Sequence, residues 1–131
     1  MRNLLVYNFE ILDEEEIFVK SGIIIYMFDS FKCLRTFDKL RIRKNKGLFY
    51  RGSTYIEKEN ITKLKKIVFS WKELFSEASE EFVLTGLFNE KLDEYERSNY
   101  NKIEVIESLE NLINLCDRAE KEKKIIEHRG I

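Results

Sequence analysis

Residues 60–88, NITKLKKIVFSWKELFSEASEEFVLTGLF, decide the fold class, because the hydrophobic period changes inside them. Ile61, Leu64, Ile67, Val68, Trp71 and Leu74 recur at three- and four-residue steps, which predicts an amphipathic helix from about Asn60 to Phe75. After a polar break, Glu81 to Phe88 is a short run of apolar and aromatic residues that reads as a strand. A helix and a strand in such close succession point to a mixed architecture.

Toward the N-terminus, KLRIRKNKGLFYRGSTYI at residues 39–56 carries a hairpin signal. Leu40 and Ile42 alternate with Lys39, Arg41 and Arg43; Asn45, Lys46 and Gly47 supply turn chemistry; Leu48 to Ile56 returns as the second strand, with Gly52 marking a bulge or the strand's end. Residues 3–12, NLLVYNFEIL, suit a strand. Asp13 followed by Glu14, Glu15 and Glu16 has the arrangement of an N-cap with an acidic first turn, so a short helix is expected there. The apolar run from Ile23 to Phe28 fits a buried strand or an inner helix; periodicity does not separate the two, and a strand is preferred.

Toward the C-terminus, Asn89 to Asn99 reads as a polar connection dense in acids. Asn101 and Glu104 form a capping pair for a helix whose apolar positions include Ile106, Leu109, Leu112, Cys116 and Ala119, ending near Lys124. Ile125 to Ile131 adds a short terminal strand. The order β, α, β, hairpin, α, β, α gives an α+β fold, an antiparallel sheet with two or three helices packed on one face.

At 131 residues the chain is expected to form a single domain, residues 1–131, around its own core. An apolar fraction of 44%, with 10 Phe and 6 Tyr, argues against disorder. The longest near-continuous apolar run, Gly22 to Phe28, is far short of a membrane span, and acidic residues follow the first apolar stretch where a leader would need a cleavage site, so a cytoplasmic protein is expected. Cys33 and Cys116 form no metal or redox motif and are read as reduced core residues. His128 is the one histidine and lies beside the C-terminus, where fraying disfavours a catalytic triad. The five glycines are too scattered for a phosphate loop. The expectation is therefore no enzyme, no metal and no cofactor.

The net charge of −1 conceals segregation. Residues 32–66 carry twelve bases against three acids, a net +9, whereas residues 77–122 carry thirteen acids against five bases, a net −8. Arg41, Arg43, Lys44, Lys46 and Arg51, interleaved with Phe49, Tyr50 and Tyr55, form a candidate basic surface of the kind that neutralises phosphates and stacks bases. This supports one reading, a nucleic-acid-binding accessory protein that uses the hairpin at 39–56. An exposed edge strand there would also let two copies pair as a homodimer.

SEEFVLTGLF at residues 79–88, an acidic loop, and then NKIEVIESLENLINLCDRAEKEKKIIEHRGI from residue 101 resemble the closing section of small bacterial immunity proteins encoded beside polymorphic toxins, including those of contact-dependent inhibition systems. The positions that carry the resemblance are Leu84, Thr85, Gly86, Ala119 and the ending His128 to Ile131. The resemblance implies a cytoplasmic protein that binds a cognate toxin domain, such as a nuclease, and blocks it without a reaction of its own. An acidic surface would complement a basic nuclease cleft and speed association, and Asp93, Glu94, Tyr95 and Glu96 are the partner-binding candidates.

Overall fold

The computed structural model describes residues 6–11, 16–38, 44–49 and 52–130. Strands β1 (Val6–Ile11) and β2 (Glu16–Lys20) precede α1 (Ser21–Met27) and a 3-10 segment, Phe28–Cys33. Three short strands follow: β3 (Arg35–Phe37), β4 (Lys44–Lys46) and β5 (Ser53–Ile56). The chain continues through α2 (Glu59–Phe75), β6 (Glu81–Asn89), β7 (Glu94–Asn101), α3 (Lys102–Glu122) and β8 (Ile126–Arg129). Six strands form one antiparallel sheet in the order β2-β1-β8-β5-β3-β4, and β6 and β7 form a separate two-stranded hairpin. The fold is α+β.

One face of the six-stranded sheet is apolar because the strands alternate. Phe9 and Ile11 of β1, Val19 of β2, Ile56 of β5 and Ile126 of β8 are buried and point the same way by register. Against them pack Ile23, Ile24 and Met27 of α1, Ile61, Leu64 and Val68 of α2, and Val105, Leu109, Leu112 and Cys116 of α3, all in one cluster. α3 opens on the expected cap, with Asn101 Oδ1 accepting from the Glu104 backbone N–H at 3.2 Å, and closes on Lys123 in the left-handed conformation.

Three expectations are corrected. Glu16 to Lys20 is strand and Ser21 to Met27 is helix, the reverse of the expected order. Ile17, Phe18 and Val19 suit a strand, and pairing with β1 outweighs the local acidic helix signal. The predicted hairpin at 39–56 does not form as read: Asn45 and Lys46 are strand residues paired to β3, while β5 pairs with β3 and β8. Residues 39–43, where its first strand was placed, lie outside the described residues. Finally, most of the stretch read as a polar connection is strand β7, because each of its residues from Glu94 to Asn101 faces β6 or continues its ladder.

The hairpin is fastened at its base. The rings of Tyr26, Trp71, Phe75, Phe82 and Tyr100 follow one another at centroid distances between 5.6 and 6.0 Å, linking α1, α2, β6 and β7. The Trp71 indole N–H also donates to Ser30 Oγ at 2.9 Å. Gly22 sits where a Cβ would collide with the Tyr100 hydroxyl. Helix propensity alone favours alanine at an α1 position by about 1 kcal/mol, but overpacking typically costs about 1–3 kcal/mol. Gly22→Ala is therefore expected to destabilise, and Tyr100→Phe to relieve part of the loss, as read from urea midpoints of the two single variants and the double variant.

Candidate functional site

The β6–β7 hairpin has two unlike faces. On the inner one, Phe82, Leu84 and Tyr100 meet the core. On the outer one, Val83, Phe88 and Tyr95 are exposed, and Leu87, within the irregularity of β6, is exposed as well. An irregularity between Thr85 and Phe88 shifts the ladder, so that Phe88 pairs with Tyr95, and their rings meet edge-on at 5.0 Å. Leu92, at the turn, is 65% exposed and Tyr95 56%. Large exposed apolar side chains are thus gathered on one two-stranded element.

The tip is ordered by a side chain of its own. Asn89 Oδ1 accepts from the N–H groups of Lys91 and Leu92 at 3.0 and 3.2 Å, and Asp93 takes a positive φ of 52°, which Asp tolerates better than most residues. Asp93 and Glu94 are exposed beside Tyr95, and Glu96 is half-buried under Gly86. The four residues singled out in the sequence thus stand together on one tip, joined by Glu90 and countered by Lys91 and Arg97. A shallow cavity of about 410 Å³ between Leu92, Glu94, Tyr95 and Arg97 gives the tip a concave side. The sequence reading missed Val83, Leu87 and Phe88, since in a strand pattern such residues look like core, and Leu92, which lies in the stretch read as a polar connection.

The basic surface divides. Lys44 and Lys46 are exposed on β4 at the sheet edge, while Arg41, Arg43 and Arg51 lie outside the described residues. The structure instead brings Arg35 of β3 and Lys58, just before α2, to a cavity of about 600 Å³ shared with Lys44 and Lys46.

The sheet face away from the helices carries a second polar cluster. Glu127 Oε2 accepts from Ser53 Oγ at 2.6 Å, Tyr55 OH at 3.3 Å and Arg129 Nε at 3.4 Å, and Arg129 also donates to Glu10 Oε1 at 2.8 Å. Burial and a hydrogen bond to Glu127 raise the Glu10 carboxyl above the usual range. Burial pushes Glu127 the same way, but hydrogen bonds from Ser53, Arg129 and Glu10 outweigh it and its pKa is lowered. Glu10 thus holds its proton more readily than Glu127. With Oε2 of Glu127 already accepting three donors, the pair ties β1, β5 and β8 together.

His128 is fully buried in β8, between β1 and β5, with its ring 4.7 Å from that of Phe9. The expected fraying is overturned, since its strand is interior to the sheet. Burial pushes the imidazole down to about 3, so it is neutral at physiological pH. Cys116 is buried, and burial pushes its thiol up, whereas Cys33 is exposed at the end of the 3-10 segment and is not a core residue. Among the described residues no helix is long and apolar enough to cross a membrane. Comparison of the chain with known proteins gives no matching family model, no matching curated protein and no matching solved structure.

Proposed function

We propose that the chain is a non-catalytic binding protein that neutralises a cognate toxin domain by seating the β6–β7 tip against it, as an immunity protein does. The observation that carries this reading is the tip itself, where exposed Phe88, Leu92 and Tyr95 are ringed by Glu90, Asp93 and Glu94 on a hairpin anchored at its base by packed rings. Aromatic anchors supply most of the energy in such interfaces, and a rigid support lowers the entropy lost on docking. The surrounding acids suit a partner whose surface is basic, as the cleft of a nuclease is.

The test is a tagged pull-down from the native host at about 0.3 M salt, which screens non-specific polyanion contacts, followed by titration of the captured protein. One stoichiometric partner bearing a toxin domain is expected. Phe88→Ala and Tyr95→Ala are each expected to weaken its binding on the order of 30-fold, the equivalent of a hot spot of about 2 kcal/mol, with the fold retained. Capture of nucleic acid alone, or undiminished binding by both variants, would refute the reading.

A further inference from the structure

We propose that the cavity between β3, β4 and the segment entering α2 binds a phosphate-bearing ligand, independently of the hairpin tip. Arg35, Lys44, Lys46 and Lys58 come from three separate stretches of chain and line one concavity. Among the described residues none of these four side chains forms a hydrogen bond or an ion pair. Elsewhere among the described residues some cations are matched with acids, Lys65 with Asp117 and Glu120, Arg118 with Glu122, Arg129 with Glu10 and Glu127, while others such as Lys63 and Lys66 stand singly on the surface of α2. Like charges lining one cavity in excess of opposite ones repel one another, and an anion in their midst reduces that repulsion.

Glu57 and Glu59 also line the cavity, so among the described residues its lining has four cations against two acids. Glu57 already has an interaction within the chain, and Glu59 sits in the first turn of α2, where the helix dipole favours a carboxylate. The volume of about 600 Å³ falls within the range of about 300–1,000 Å³ typical of small-molecule sites. Half-buried Phe37 adds an aromatic side chain to the lining, a surface for a base or a sugar.

The frame of the cavity is fixed. The buried Asn60 side chain accepts from the Arg35 backbone N–H at 2.9 Å, and the Thr36 hydroxyl and the Asn45 amide both donate to the Gly47 carbonyl, at 2.6 and 3.2 Å. Lys58 adopts φ 55° and ψ −132°, a conformation suited to glycine. A lysine at that point costs stability, and the cavity gives its ammonium a use. The ligand chemistry is the phosphoryl group, carried by a free nucleotide or by a nucleic-acid strand.

Isothermal titration of the full chain with inorganic tripolyphosphate, ATP and a single-stranded oligothymidylate, at about 0.05 and 0.3 M salt, tests this. Tripolyphosphate is expected to bind, with affinity reduced at least tenfold by Lys44→Ala combined with Lys46→Ala, and likewise by Lys58→Gly. Since Lys58→Gly relieves the backbone, its melting temperature should not fall, which separates loss of binding from loss of fold. Tighter binding of the oligonucleotide, weakening with salt by about 0.7 log units per log unit for each phosphate engaged, would identify a nucleic-acid strand as the source. Tighter binding of ATP would identify a nucleotide. Phe88→Ala should leave all three titrations unchanged. Absence of binding by all three probes, or binding that these lysine substitutions do not alter, would overturn the proposal.

Discussion

Phe9→Ala is expected to destabilise the protein by about 3–5 kcal/mol, the usual cost of emptying a buried aromatic site. Phe9 has no exposed surface and stands on β1 between two neighbours, opposite Ile17 of β2 and His128 of β8. Its ring lies 4.7 Å from the imidazole, so truncation removes a ring contact as well as apolar burial. Because β8 is held on its far side by β5, the sheet is not free to close over the space from that side. Domains of this size are stable by only about 5–15 kcal/mol, so the loss removes a large share of the margin. Guanidinium unfolding should show a lower midpoint at unchanged slope; a loss below about 1 kcal/mol would mean that the site collapses around the smaller side chain.

Acidification from pH 7 to pH 5 is expected to cost the wild-type protein stability through His128. Burial holds its folded pKa at about 3, against an unfolded value of about 6.5. Between these values the unfolded chain binds a proton that the folded chain does not. The stability is therefore fully present above about pH 6.5 and declines as pH falls, by up to about 1.4 kcal/mol per unit, or about 2 kcal/mol by pH 5. As the one histidine, it is the only side chain whose ordinary pKa lies in this window. Glu10, raised by burial, acts in the opposite sense, its contribution being present at low pH and lost as pH rises through its folded pKa. Glu127, lowered overall, contributes stability that is lost only further into acid, below the unfolded carboxylate range. Comparison of urea unfolding at pH 7 and pH 5 for wild type and His128→Phe isolates the imidazole. The variant should lose about 2 kcal/mol less over the interval; equal losses would show that His128 takes up a proton without unfolding.

Much of this fold is legible where the pattern is local. The stripe of Ile61, Leu64 and Val68 sets α2 to within one residue, and Asn101 with Glu104 starts α3 as expected. Glu81 to Phe88 reads as strand for the same reason, a short apolar run with a polar break before it. Asp93 and Glu94 are legible as exposed acids, since acids rarely tolerate burial, and Tyr95 is exposed beside them, whereas Glu96 is half-buried.

What the sequence by itself determined was which segments are amphipathic, where α3 is capped and which residues must stay in water, because these depend on side chains within a few positions of one another. Only the tertiary structure decided that residues 16–20 are strand rather than helix, since the choice is made by β1 across the ladder. It decided that β8 runs inside the sheet, turning His128 from a terminal residue into a buried one, because its partners Phe9 and Thr54 lie far away in the chain. It also decided that Phe88 and Tyr95 are displayed and not buried. Phe82, Leu84 and Tyr100 take the core side of the hairpin; alternation along β7 puts Tyr95 on the other side, and the irregularity between Thr85 and Phe88 brings Phe88 across to join it.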